Sequence, residues 1–168
     1  MFVLGIDPGL SRCGYGLVER RGRELVAVSG GVITTRRELA VPVRLHQLQA
    51  ELVSLVAETV PDAVVVERVF FQVNARTAMS VGQAGGLALA AAAAAGCEVA
   101  QYSANEVKQA VVGYGSASKD QVQRMVAKIL GLDDPPRPPD VADALALAVC
   151  HLTAVHLRLA LQATGASR

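Results

Sequence analysis

The strongest constraint on this chain is a ten-residue run near its C-terminal end, residues 141–150, in which Asp143 is the one charged side chain. A helix that is apolar on nearly all sides is buried in the core of a protein. An unpaired carboxylate costs several kcal/mol in such a place, so Asp143 needs a cation, either from an Arg or Lys or from a metal ion. The run therefore predicts a core helix that carries a charged site.

The rest of the chain divides into short apolar runs bounded by turn residues, which predict strands, and longer segments with helical spacing. A three-stranded antiparallel meander is predicted first, and two further strands then alternate with helices. The predicted strands cover residues 2–6, 13–19, 25–34, 63–66 and 98–102, and the predicted helices cover residues 42–60, 75–95, 103–112, 118–131 and 140–156. A length of 168 residues suits one domain. We expect this domain to cover residues 1–157 and to be followed by a flexible tail over residues 158–168.

The composition excludes several functional classes. Cys13, Cys97 and Cys150 are odd in number and far apart, so they fit neither a disulfide framework nor a zinc site. No basic segment precedes the first apolar run, and the one stretch of membrane-spanning length, residues 78–97, is rich in Ala and Gly and interrupted by polar residues. These features predict a reduced cytoplasmic protein with no membrane contact. The net charge of +1 gives no overall basic signal for nucleic acid.

Four carboxylates occupy positions typical of a catalytic site, although Asp7 and Glu67 each also fit a solvated turn and Asp140 also fits a helix cap. Asp7 follows the first predicted strand and Glu67 follows the fourth, and strand carboxyl ends are where α/β proteins form their sites. Asp140 and Asp143 lie three residues apart on the last predicted helix, so they share a face. Such hard oxygen ligands suit Mg²⁺ or Mn²⁺. Two ions about 3.5–4 Å apart can hold the attacking and leaving oxygens of a phosphodiester, so the pattern predicts metal-dependent phosphoryl chemistry.

Four sequence blocks make the chain resemble a known family. They are GIDPG at residues 5–9, VERVF at 66–70, VKQAVVG at 107–113 and DVADAL at 140–145. In order and spacing they are similar to the RuvC family of bacterial Holliday junction resolvases. The resemblance implies an α/β protein with an RNase H-like fold, in which helices flank a five-stranded mixed sheet of three antiparallel and two parallel strands. It also implies a cytoplasmic homodimer that makes symmetric, ligatable 5′-phosphate nicks in four-way DNA junctions during recombination and repair, together with the branch-migration proteins RuvA and RuvB.

The resemblance also implies roles for individual residues. Two Mg²⁺ ions, or Mn²⁺ in their place, are held by the family's four catalytic acids, which fall on Asp7, Glu67, Asp140 and Asp143. The essential lysines for DNA binding fall on Lys108 and Lys119, of which Lys119 also takes part in catalysis, and the aromatic residue of the junction-contacting loop falls on Phe70. Arg76 is a further predicted phosphate contact. Lys119 also carries an independent signal, because a cation in the first turn of a helix opposes the helix dipole unless an anion such as a DNA phosphate lies nearby.

Three other functions remain open at this point. Another RNase H-like nuclease, for structured RNA or for a different DNA branch, would use the same acids. An actin-like nucleotide-binding protein starts with a similar motif but needs a longer, two-lobed chain, and a junction-binding protein without catalysis would not need all four acids. If the four acids hold metal ions, 11 acids remain against 16 bases, which is a charge of +5 outside the site and +10 in a dimer. We therefore expect DNA binding to weaken with salt.

Overall fold

The computed structural model describes residues 1–68 and 75–165, together with their side chains except those of residues 75–77 and 163–165. Within these ranges the chain forms five strands and five helices. The strands are β1 (Phe2–Asp7), β2 (Arg12–Arg21), β3 (Glu24–Thr34), β4 (Ala63–Glu67) and β5 (Glu98–Tyr102), and the helices are α1 (Val41–Thr59), α2 (Ala75–Ala94), α3 (Ala104–Val112), α4 (Lys119–Ile129) and α5 (Pro139–Gly165).

The sheet has the order β3-β2-β1-β4-β5, and β1 lies at its centre. β2 pairs antiparallel with both β1 and β3, whereas β4 is parallel to β1 and β5 is parallel to β4. This arrangement confirms the predicted mixed sheet. Ile6 pairs with Val66 in the parallel register, so the next residues, Asp7 and Glu67, leave the sheet at the same edge.

Two apolar layers cover the two faces of the sheet. α1 and α2 pack on one face, around buried residues such as Leu48, Leu52 and Ala88. α3, α4 and α5 cover the other face. α5 lies directly on β1 and β2, since a Cβ atom on Gly5 would overlap the carbonyl oxygen of Ala144. Glycine at this position lets the core helix approach the central strand.

Local capping signals fix the starts of the two short helices. Ser103 and Glu106 form the predicted capping box of α3, and Ser118 and Gln121 form that of α4. Gly113 ends α3 in the left-handed conformation that glycine adopts without strain. Both predicted boxes are confirmed. They set the helix register, and thereby the positions of the lysines on α3 and α4.

The end of α5 differs from the prediction. The helix runs to Gly165, nine residues past the predicted end near residue 156, while the other predicted ends lie within two residues of the observed ones. Leu, Arg, Ala and Gln continue the chain after residue 156 and are good helix formers, so no local signal stops the helix there. By length and composition α5 could cross a membrane, but half of its apolar window is buried. Between residues 141 and 152 every side chain except Asp143 is buried, as in the core helix of a soluble protein.

Candidate active site

Three of the four predicted acids line one cavity at the edge of the sheet where β1 and β4 end. The cavity has a volume of about 330 Å³, and its polar lining consists of Asp7, Glu67, Asp143, Lys108 and Lys119. β1, β4, α3, α4 and α5 each contribute one of these side chains. The fold therefore brings together residues that are up to 136 positions apart in the sequence, from Asp7 to Asp143.

The acids act on one another through space. Burial raises the pKa of Asp7 to about 7, and the negative charges of Asp143 and Glu67 add to this rise, whereas Lys119 opposes it. Burial, followed by the charge of Asp143, also raises the pKa of Glu67. Such shifts arise where carboxylates converge without enough positive charge to balance them. The cavity is therefore a place where an additional cation is stabilised.

Asp143 has the cationic partner that its buried helix requires. Lys119 Nζ lies 2.5 Å from Asp143 Oδ2. The hydrogen bond to Asp143 raises the pKa of the Lys119 ammonium group. A lysine of the protein therefore supplies a positive charge beside Asp143. Lys119 remains 65% exposed at the level of its side chain, so it can also contact a ligand from solvent.

Asp140 has a different partner, which the sequence analysis missed. Arg12 binds both carboxylate oxygens of Asp140, with Nη2 2.8 Å from Oδ2 and Nε 3.3 Å from Oδ1. Asp140 does not line the cavity described above, although its charge still acts on Asp7. No local signal in the sequence marks this pair, because it joins β2 to α5 across 128 residues.

The donor set suits a divalent cation, with one qualification in its geometry. Carboxylate oxygens are the ligands that Mg²⁺ and Mn²⁺ prefer, and the pKa of Asp7 is raised first by burial and then by the charges of Asp143 and Glu67, which a bound cation would offset. Within residues 1–68 and 75–165, however, no three His, Cys, Asp or Glu side chains are grouped closely enough to hold a metal ion together. The pairing of Asp140 with Arg12 keeps the fourth acid directed at a guanidinium group.

The remaining predicted residues are placed as follows. Lys108 lines the cavity from α3. Phe70 lies outside the described residues, and Arg76 lies in α2 but its side chain is not described. Arg68 follows β4 and donates from Nη2 to the carbonyl oxygen of Gln101 at 3.1 Å, which ties the end of β4 to β5. The structure thus brings Lys108 and Lys119 to the acids.

Comparisons with known proteins agree with this architecture. Residues 3–151 match the family model of the crossover junction endodeoxyribonuclease RuvC. The RuvC protein of Syntrophomonas wolfei is 50% identical over 165 residues, which is 98% of this chain and 96% of that protein. The RuvC protein of Salinispora arenicola is 52% identical over 153 residues, which is 90% of this chain and 87% of that protein.

Solved structures are similar over the same range. Thermus thermophilus RuvC has a TM-score of 0.86 and 38% sequence identity, covering 94% of this chain and 96% of that one. The same protein in complex with a Holliday junction substrate has a TM-score of 0.84 and 35% identity with the same coverage. The yeast mitochondrial Holliday junction resolvase Ydc2, at 14% identity and a TM-score of 0.68, shares the fold. These structures confirm the predicted RNase H-like architecture.

Proposed function

The chain belongs to the RuvC family of crossover junction endodeoxyribonucleases, and we propose that it cuts DNA with four acids, Asp7, Glu67, Asp140 and Asp143. It is a nuclease for four-way (Holliday) DNA junctions, which places it in recombination and repair. The observation that carries the assignment of the acids is the cavity at the edge of the sheet, where three of them lie together with two lysines. No covalent enzyme intermediate is needed, and the products carry 5′-phosphates that a ligase can seal.

The acids are proposed to hold two Mg²⁺ ions, with Mn²⁺ able to take their place. Divalent cations supply this chemistry by activating water as a nucleophile and by stabilising the charge on the leaving oxygen. Asp7 would be the acid shared between the ions, because its charge interacts with those of all three other acids. Asp143 reaches the cavity from the start of α5, whereas Asp140, one turn earlier and paired with Arg12, would join the ions only after leaving that partner.

Lys119 and Lys108 are proposed to bind the DNA phosphates next to the acids. Both line the cavity, and Lys119 already lies within contact distance of Asp143. The carboxylates alone would repel a DNA phosphate. The positive charge of the Lys119 ammonium group can offset this repulsion. Lys119 is also the first residue of α4, and a helix N-terminus favours an anion.

The wider assembly follows from the substrate and the family. A homodimer with twofold symmetry matches a junction with twofold symmetry, since each subunit then takes one strand. We propose that the protein works in the cytoplasm with RuvA and RuvB, and that Phe70 and Arg76 contact the junction. The nuclease domain is proposed to comprise residues 1–157, with residues 158–168 outside it.

Cleavage of a synthetic four-way junction and of a linear duplex, each with Mg²⁺ or EDTA, tests this proposal. We expect paired nicks in the junction with Mg²⁺ and none with EDTA, and an Asp7→Asn variant should bind the junction but not cut it. Glu51→Gln, a change at an exposed acid of α1, is the matched control and should cut normally. Cutting in EDTA, or a near-normal rate for Asp7→Asn, would contradict the assignment.

A further inference from the structure

Arg12 covers one of the proposed metal ligands. Its Nη2 donates to Asp140 Oδ2 at 2.8 Å and its Nε donates to Asp140 Oδ1 at 3.3 Å. The hydrogen bond to Arg12 is the main reason why the pKa of Asp140 lies below its ordinary value. Both oxygens that Asp140 could offer to a metal ion are therefore bound to a cation of the protein.

The backbones around this pair are fixed, while the Arg12 side chain is not enclosed. Arg12 is the first residue of β2 and pairs with Thr34 of β3. Two residues later on the same face of β2, Gly14 lies directly under α5, where a Cβ atom would overlap the carbonyl oxygen of Asp140. The side chain of Arg12 is nevertheless 46% exposed, so it can leave Asp140 without any movement of the strand or the helix.

We propose that Arg12 competes with the divalent cation for Asp140, so that it stabilises the acids without metal and is displaced when the ion binds. This inference rests on the proposed function, because it requires Asp140 to be a metal ligand. A carboxylate with both oxygens bound to a guanidinium group offers fewer lone pairs to a metal ion, and the two cations repel each other at such short range.

Displacement gives Arg12 a second role in the reaction. A guanidinium group presents a planar fork that fits a phosphate as well as it fits a carboxylate. Arg12 begins β2 shortly after Asp7 ends β1, and on this proposal the displaced fork is free to bind a DNA phosphate near the acids. Toward the metal ion Arg12 acts only through Asp140, and in that respect it is a positioning residue.

A static role for Arg12 makes the opposite prediction. If Arg12 only ties β2 to α5 and holds Asp140 in a productive position, its removal should weaken the binding of the ion. If it competes, its removal should strengthen that binding. The sign of the change in metal affinity therefore separates the two roles, and it can be measured without any DNA cleavage.

The experiment measures Mn²⁺ binding to the full chain in the absence of DNA, by electron paramagnetic resonance of the free ion. We expect Arg12→Ala and Arg12→Gln to bind Mn²⁺ about 1.5-fold to fivefold more tightly than the unmodified protein, the range that corresponds to the loss of one exposed ion pair. Arg12→Lys keeps the charge but not the planar fork, so its Mn²⁺ affinity should lie between that of the unmodified protein and that of Arg12→Ala. Arg124→Ala removes a different exposed ion pair, with Asp120 on α4, and should leave the affinity unchanged.

Each outcome has a distinct meaning. The inference is overturned if both Arg12→Ala and Arg12→Gln bind Mn²⁺ equally to or more weakly than the unmodified protein. It is also overturned if none of the three proteins binds the ion. In an Asp140→Asn background the Arg12→Ala change should no longer strengthen binding, and a persistent gain would show that Arg12 acts elsewhere. The proposed function fails separately, if Asp7→Asn binds Mn²⁺ as tightly as the unmodified protein does.

Discussion

Replacement of Asp7 by Asn should stabilise the metal-free protein at neutral and alkaline pH. In the native state burial and the neighbouring acids raise the pKa of Asp7 from its ordinary value of 3.8 to about 7. The native protein therefore binds a proton at Asp7 more tightly than the unfolded chain does. The contribution of Asp7 to the free energy of unfolding is therefore fully present below pH 3.8. It decreases as the pH rises from 3.8 to 7 and is lost above pH 7.

The size of the effect follows from the shift. One pKa unit corresponds to about 1.4 kcal/mol, so a rise of about three units makes the charged Asp7 cost about 4 kcal/mol at pH 8. Asn has nearly the same shape and no charge, so Asp7→Asn should recover most of this free energy of unfolding. For a chain of this length 1 kcal/mol moves the melting temperature by about 2–4 °C, which predicts a rise of about 8–16 °C at pH 8.

Thermal melting followed by circular dichroism in EDTA measures this rise. The melting temperatures of Asp7→Asn and of the unmodified protein should agree near pH 4 and separate between pH 4 and 7. The exposed acid Glu51 provides the control, because Glu51→Gln should follow the unmodified protein at every pH. Saturating Mg²⁺ should stabilise the unmodified protein more than the variant, since the Asp7 carboxylate is a proposed ligand of the ion. Equal melting temperatures at pH 8 in EDTA would refute the reasoning.

Two further predictions concern Lys119 in the active site and the buried Arg44 of α1. Lys119→Ala should slow junction cleavage and reduce the slope of log affinity against log salt concentration by about one, because one phosphate contact is lost, whereas Lys128→Ala in the last turn of α4 should change neither. Arg44 is buried and donates to Thr35 Oγ1 at 3.0 Å and to Ser11 Oγ at 2.7 Å. Arg44→Met should therefore lower the free energy of unfolding by about 1–3 kcal/mol in urea denaturation, and an unchanged midpoint would contradict this.

Much of the fold was predictable because its signals are local. Apolar runs ended by turn residues located the strands, and the capping boxes at Ser103 and Ser118 located two helix starts to within one residue. The end of α5 was not predictable in this way. After residue 156 the chain keeps good helix formers but no longer packs on the sheet, and neither a glycine nor a proline interrupts it before Gly165.

The site was predictable where it depends on topology and not where it depends on side-chain pairing. Parallel strands end at one edge, so Asp7 and Glu67 could be expected together, and the three-residue spacing set Asp140 beside Asp143. The partner of Asp140 is 128 residues away, and its choice depends on how closely α5 lies on β2. Gly14 permits that approach, but a single sequence does not show which glycines face a helix.

The charge balance of the chain has a further consequence once the ion pairs are known. Assigning four acids to metal ions leaves 11 acids and 16 bases, but Arg12, Lys108 and Lys119 belong to the same site. The rest of the protein then has 13 bases and 11 acids, a charge of +2. If Arg12 competes for Asp140 as proposed, bound ions would replace its guanidinium group at Asp140. They would also add positive charge where the scissile phosphate enters. Metal binding and DNA binding would then favour each other. Bound cations reduce the repulsion between the acids and the DNA phosphate, and a bound phosphate reduces the repulsion between the cations and Arg12.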